Sequence, residues 1–587
     1  MEMNEVLEKL PKHLLNLVID QPYNDYTPQD HALWRYVMKQ NVRYLSKVAH
    51  HSYTEGLEKT GVSINEIPHM YGMNRILKEI GWAAVAVDGF IPPSAFMEFQ
   101  AYNVLVIAAD IRPMDQIEYT PAPDIIHEAA GHAPIIADPQ YAEYLQLFGK
   151  IGARAFSSAK DYEIYSAIRH LSILKADPYT NKKDISKAEK KLAELQGGLI
   201  TMSEMSLIRN LHWWTVEYGL IGDLRKPKIY GAGLLSSIGE SFSSLQADVV
   251  KIPYTIDAVN YNFDITTRQP QLFVTPDFEN LTAVLNEFAD RMALRKGGIY
   301  GLQKALESKT TATVVYSSGL QVSGTLAEYL ADNGEPIWFR MGSASALSYY
   351  DEQLEGHGKK YHKDGFSSPI GGLKNLYTPL EMFKDNDLRR NGIEEGRDVE
   401  LVFESGILLK GRLEQVVRRK GKIILMTFNN CTVTYQDKTL FEPSWGTYDM
   451  AVGNQIVSAF QGPADADAFG LTYEAPAEKT HKINHSEDAK KLHDLYKEVR
   501  ELRQGNYTEA PLLKIYEQVN KAYPNEWLIM MELLELASKF GTDKFRDDLR
   551  KHLEKLRKAR PALKTLITNG FDMIDDVVNV RIEPSVA

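Results

Sequence analysis

The sequence predicts a multi-domain chain in three successive parts: mainly α-helical over residues 26–300, β-rich over 305–460, and α-helical again over 475–587, after a short N-terminal segment, 1–25. Three observations predict this. Apolar residues recur at three and four positions through about 28–300. β-branched and aromatic runs broken by Gly, Asn and Asp then fill about 310–460. Helical periodicity returns after "QGPADADAFG" (461–470), which reads as a linker. A length of 587 residues accommodates several domains of roughly 100–200 residues each.

Composition narrows the class. A hydrophobic fraction of 44% and a charged fraction of 25% are ordinary for a soluble globular protein. The net charge of −11 argues against general nucleic-acid binding, which needs a basic surface. The basic run "VVRRKGK" (416–422) reads as a solvated turn. One cysteine, Cys431, excludes an intramolecular disulfide and any CxxC metal site. The first twenty residues mix acids into their apolar positions, unlike a signal peptide. No apolar run reaches the roughly 18 residues needed to span a bilayer. A cytoplasmic location is expected.

In chain order, "TPQDHALWRYVMKQNVRYL" opens a helix, with Thr27 as N-cap and Pro28 at the first helical position. "IPHMYGMNRILKEIGW" and "LQKALESK" share its periodicity, and "NKKDISKAEKKLAEL" (181–195) reads as an exposed inserted helix. In the β-rich part, "VVYSSGLQVSGTL" (314–326) aligns without gaps on "LVFESGILLKGRL" (401–413). Val315 and Val402, Ser318 and Ser405, Gly319 and Gly406, Gly324 and Gly411, and Leu326 and Leu413 fall in register. Each copy reads as strand, Ser-Gly turn and strand, so a small antiparallel module is duplicated. Beyond residue 475, Ala489, Leu492, Leu495, Val499 and Leu502 form one apolar stripe ending at Gly505. That part reads as a packing or interaction module.

The chemistry concentrates in "PDIIHEAAGHAP" (123–134). Two imidazoles and a carboxylate on one face of an octahedron suit non-haem iron and leave positions open. Zinc proteases space their histidines by four, which turns the side chain by about 40° on a regular helix; the five-residue step here turns it by about 140°. His132 would therefore point away from His127 unless the helix loosens or ends between them. Gly131 permits that, and Pro134 discourages helix beyond it. Glu128 is accordingly a poor candidate for a protease base.

The longer stretch "YTPAPDIIHEAAGHAPIIADPQYAEY" (119–144), with "WWTVEYGL" (213–220) and "IYGAGLLSSIGE" (229–240), resembles the motifs of the pterin-dependent aromatic amino acid hydroxylases. The resemblance covers most of residues 25–295. It implies an iron- and pterin-dependent catalytic domain over 26–300, with His127, His132 and Glu217 as ligands of Fe(II). It implies O2, tetrahydrobiopterin or a related tetrahydropterin, and an aromatic amino acid as reaction partners. Arg112 falls at the position that clamps the substrate carboxylate, a role suited to a planar guanidinium. Asp124 would orient Arg112 or a ligand, and Thr120 and Ser236 complete the polar surround. The substrate ring would lie against Trp213 and Pro123, near Tyr119 and Tyr218. Phe96 falls at the pterin-stacking position, Gly89 and Ile91 on the nearby loop, and Glu128 where an acid contacts the pterin.

Three positions depart from the animal enzymes: Val106 stands for a histidine near the pterin, Pro93 for a serine and His212 for a tyrosine. The expected reaction is hydroxylation of L-phenylalanine to L-tyrosine. Trp213 and the apolar Ile265 favour phenylalanine; tyrosine or tryptophan is the alternative. A zinc hydrolase and a binding module on a hydroxylase scaffold rank below. Nothing in the sequence assigns chemistry to residues 300–587.

Overall fold

The computed structural model describes the whole chain except residues 1–3, 90, 119–122, 177–179, 198–201, 264, 266–267, 474–484, 506–507, 541 and 576–587. The expected sites Tyr119 and Thr120 lie outside the described residues. No helix among the described residues is long and apolar enough to cross a membrane.

The helix Pro28–Val48 starts at a reciprocal cap: Thr27 Oγ1 accepts from the Asp30 amide, and the Asp30 carboxylate accepts from the Thr27 amide. It buries Trp34, Tyr36, Val37, Met38 and Leu45 in a core shared with most of residues 28–292. Two small sheets accompany the helices. One runs Val18–Ile19, Ala83–Val87, Val104–Ala108, with the last two strands parallel. The other orders Lys228–Ile229, Leu220–Ile221, Gln271–Thr275 and Val250–Pro253. Every residue of Ala83–Val87 and Val104–Ala108 is buried. Fully buried parallel strands show no polar alternation, so helical periodicity alone does not reveal them.

In the β-rich region, the strands Thr311–Tyr316, Leu320–Asp332 and Glu335–Met341 form one antiparallel meander; Asp398–Val402, Leu408–Arg419 and Lys422–Tyr435 form another. Their registers coincide at an offset of 87 positions. Val314 pairs with Val322 as Leu401 does with Leu409. Phe339 pairs with Tyr329 as Met426 does with Val416. The irregularity before Met341–Leu326 recurs before Phe428–Leu413. The second meander is enclosed in sequence by the first sheet, whose last strand, Ile456–Gln461, returns to pair with Thr311–Tyr316.

The expected linker at 461–470 is instead anchored structure. The Asp467 carboxylate accepts hydrogen bonds from the amides of Lys12 and His13 at 3.0 and 3.2 Å, and Asp465 accepts from the Gln353 amide at 2.9 Å. Small polar residues read as a linker until their distant partners are known.

The C-terminal helices Glu487–Gln504, Trp527–Phe540 and Lys564–Asp575 pack on Pro28–Val48. The Arg35 guanidinium sits between Glu532 (2.8 Å) and Glu535 (2.5 Å), with Lys39 also on Glu535 at 2.7 Å. Arg503 pairs with Glu532, and the Tyr36 ring meets Trp527 edge-on at 5.0 Å. Burial opposes ionisation of Glu535, but the charges of Arg35, Lys39 and Arg503 hold its carboxyl well below the usual range.

Candidate metal centre and adjoining cavity

Residues Ile126–His132 form a π-helix continued by the α-helix Ala133–Ile136, with Pro134 inside that α-helix. The helix neither ends between the histidines nor stops at the proline, which is tolerated in a first helical turn. It widens. In an i→i+5 bonded helix, residues five apart share a face as residues four apart do in an α-helix. His127 Nε2 and His132 Nε2 thereby approach to 3.2 Å. Gly131 serves a separate purpose, because a Cβ there would stand 2.5 Å from the Ala232 carbonyl oxygen. The missing side chain lets the helix Ala232–Ser236 dock on the histidine segment.

Glu217 arrives from a second π-helical segment, Trp213–Glu217, which continues the helix Glu204–His212. Its carboxylate oxygens lie 3.2 Å from His127 Nε2 and 3.4 Å from His132 Nε2. Burial would raise the pKa of this carboxyl, but His132 and His127 hold it well below the usual range. Three ligands about 2.1 Å from one ion at right angles would stand about 3.0 Å apart. The donor set fits a mononuclear site with an open face.

Ser236 fixes one ring. Its hydroxyl donates to the Ala232 carbonyl at 2.8 Å, so it accepts from His127 Nδ1 at 3.1 Å. The proton is thus assigned to Nδ1 and the lone pair to Nε2, facing the other ligands. Asp124 ties the site to Arg112: it accepts from Arg112 Nε and Nη2, both at 2.8 Å, and from the His127 amide at 3.0 Å. Burial opposes ionisation of Asp124, and the Arg112 charge keeps its pKa low. Among the described residues, Arg112 Nη1 has only the Ser236 carbonyl, at 3.5 Å.

One cavity joins these groups. Its walls include Arg112, Pro123, His127, Glu128, Trp213, Glu217, Tyr218 and Ser236, and also Gly89, Ile91 and Phe96. The departures Pro93, Val106 and His212 line it too. His212 meets Phe96 edge-on at 5.8 Å, and burial lowers its pKa to about 4. His212 Nε2 and Trp213 Nε1 are buried polar atoms with no hydrogen-bond partner among the described residues. An imidazole nitrogen of this kind beside Phe96 suits a flat, polar-edged heterocycle. Glu128 lies 3.7 Å from His132 Nε2, and burial pushes its carboxyl up to about 8.

Sequence reasoning did not single out Phe263, Arg209 or Glu240, all on the cavity wall. Phe263 stacks on Trp213 at 4.2 Å and 8°, and Tyr218 stacks on Trp213 at 4.6 Å. Part of the surface expected to meet a substrate ring is thus covered by neighbouring side chains. Glu240 accepts from the Tyr218 hydroxyl at 2.6 Å; burial pushes its carboxyl up to about 7. Glu240 closes the quoted "IYGAGLLSSIGE" motif, whereas nothing marks Arg209 apart from a surface arginine.

Comparison with known proteins gives a consistent picture. A family model described as biopterin-dependent aromatic amino acid hydroxylase matches residues 18–173 and 195–300. The gap falls on the lysine-rich helix Lys182–Gly197. Phenylalanine-4-hydroxylase of Mesorhizobium japonicum is 28% identical over 301 residues, spanning 50% of this chain and 91% of that protein. That of Pseudomonas aeruginosa is 26% identical, spanning 47% of this chain and 88% of that protein. A solved structure of Chromobacterium violaceum phenylalanine hydroxylase, with bound iron(III) and oxidized cofactor 7,8-dihydrobiopterin, is 26% identical. It spans 47% of this chain and 88% of that chain, with a TM-score of 0.37.

Proposed function

We propose, on the premise that this chain belongs through residues 18–173 and 195–300 to the biopterin-dependent aromatic amino acid hydroxylases, that it hydroxylates L-phenylalanine to L-tyrosine with Fe(II), O2 and a tetrahydropterin. The observation that carries this reading is the meeting of His127, His132 and Glu217 beside the cavity that His127, Glu217 and Arg112 line.

Each residue then has a physical role. His127, His132 and Glu217 hold the metal on one face and leave the other to small ligands. Ser236 orients the His127 ring, and Asp124 orients Arg112. The Nη1 edge of Arg112 receives the amino acid carboxylate by charge-assisted hydrogen bonds. Pro123, Trp213, Tyr218 and Ile265 supply the apolar wall for the ring. Phe96, Gly89, Ile91 and Glu128 bound the pterin side. Iron and tetrahydropterin, when bound, supply the activation of O2 that no side chain can perform. The chain's own contribution is to align the ring with the metal and exclude water. We further propose 26–300 as the catalytic domain, 305–460 as a duplicated β domain and 475–587 as a helical domain.

The test is anaerobic reconstitution with Fe(II), then addition of tetrahydropterin, O2 and each aromatic amino acid. Tyrosine from phenylalanine at the highest kcat/KM is expected. No hydroxylated product from any of the three sinks the enzyme reading; preference for tyrosine or tryptophan corrects the substrate.

A further inference from the structure

A second group of metal-ligand side chains lies in the β-rich region. His357, His362 and Asp449 bring one ligand atom each within 4.8 Å of one another. His357 Nδ1 and His362 Nε2 stand 3.2 Å apart, the separation also found between His127 and His132. Two nitrogens about 2.0–2.1 Å from one tetrahedral zinc ion would be about 3.3 Å apart.

The backbone holds both histidines in place before any ligand arrives. The His357 carbonyl accepts from the Leu347 amide at 2.9 Å, and the His362 carbonyl from the Ser345 amide at 3.0 Å. Both partners belong to the strand Ala346–Tyr349 or precede it directly. Asp449 comes from the strand Tyr448–Ala451, paired with the other meander. Its Oδ1 accepts from Thr427 Oγ1 at 2.7 Å. Such an outer hydrogen bond orients a ligating carboxylate.

A bare histidine–histidine hydrogen bond accounts for the ring contact but not for Asp449. That side chain is buried, and no lysine or arginine pairs with it among the described residues. A buried carboxylate facing two imidazoles gains its missing counter-charge from a cation.

We propose that His357, His362 and Asp449 form a binding site for a divalent transition ion of the zinc class, with a fourth position open to water. The ion clips the 354–365 loop of the first meander to a strand of the second. This site is independent of the hydroxylase reading.

The test is equilibrium dialysis of the metal-stripped full chain against Zn2+, with metal counted by atomic absorption. Two equivalents are expected for the wild type. Asp449→Asn, His357→Ala and His362→Ala should each lose one equivalent or weaken it at least tenfold, while keeping the equivalent that Glu217→Gln removes. Zinc should also raise the unfolding midpoint of the β-rich region in the wild type and not in Asp449→Asn. Asp449→Asn is nearly isosteric and keeps the Thr427 bond, so it remains informative where His362→Ala fails to fold. Wild-type stoichiometry and affinity in Asp449→Asn would overturn the site, as would a wild-type protein that binds only the Glu217-dependent equivalent.

Discussion

The chain holds two histidine pairs of identical spacing, His127 with His132 and His357 with His362, and each brings two ring nitrogens to 3.2 Å. The backbones that achieve this are unrelated. The first pair shares one face of a π-helix, and the second stands on a loop pinned to a strand. Each gains a carboxylate from about 90 residues downstream, Glu217 or Asp449. What separates them is the surroundings. The first pair opens on a cavity with a guanidinium, an aromatic wall and ring nitrogens unpartnered among the described residues. The second has no lysine or arginine paired with its carboxylate among the described residues. On the readings proposed above, spacing and donors suit each pair to a metal ion, and the cavity and Arg112 suit the first to a reaction.

Glu217→Gln gives the largest expected effect and separates the two pairs most directly. Loss of its negative charge should weaken iron binding by about a hundredfold or more and remove turnover, while the β-region site keeps its zinc. Unchanged iron content and rate would break the comparison. Arg112→Ala comes next. Loss of a buried, charge-assisted carboxylate partner should cost about 2–5 kcal/mol in kcat/KM for the amino acid. It also strands the buried Asp124 carboxylate, a further loss of about 3–5 kcal/mol in stability measured by urea unfolding. Arg112→Lys should recover much of the stability but less of the kcat/KM, because an ammonium lacks the planar fork. An unchanged KM in a folded Arg112→Ala protein would remove the clamp.

The features legible in the sequence are those set by local chemistry. Thr27 and Pro28 mark a helix start because a cap is a contact across three residues. The repeat at 314–326 and 401–413 shows because identical registers need matching turn glycines, Gly319 and Gly406, both at positive φ. His127, His132 and Glu217 stand out through a family resemblance, since Glu217 lies 90 positions after His127 and periodicity does not reveal their proximity. The π-helix was not legible, because helical patterns are read at 3.6 residues per turn. The buried strands Ala83–Val87 and Val104–Ala108 were not, because they lack alternation. Nor were the anchoring of Asp467 at Lys12 or the seat of Arg35 between Glu532 and Glu535, each joining ends of the chain more than 450 residues apart.

Glu240→Gln probes an acid on the wall of the cavity beside the first pair. Burial pushes Glu240 up to about 7, against about 4.5 when unfolded. Below pH 4.5 both states are protonated. Between 4.5 and 7 the unfolded chain releases its proton first, so stability falls as pH rises, and above 7 the cost is constant. At 1.36 kcal/mol per pH unit the ceiling is about 3 kcal/mol. The stability difference between Glu240→Gln and the wild type should therefore shift in favour of glutamine by up to that amount from pH 4.5 to 8. Parallel urea curves across that range would show that Glu240 does not titrate there.

The smallest effect is expected from adding one methyl group beside each pair. At Gly131 the new Cβ would meet the Ala232 carbonyl oxygen at 2.5 Å, which a fixed backbone cannot yield. Gly131→Ala should cost about 1–3 kcal/mol. It should also push away the helix carrying Ser236, freeing the His127 ring and weakening iron binding. At Gly358 the atoms nearest the new Cβ would be the amide end of Gln353, at 2.8 and 3.0 Å, the far end of a flexible side chain. Gly358→Ala should change stability by about 0.5 kcal/mol or less and leave zinc affinity unchanged. Urea midpoints and metal titrations of the two variants measure how tightly each backbone constrains its histidines. Equal responses would mean that the π-helix is no more demanding a scaffold than the loop.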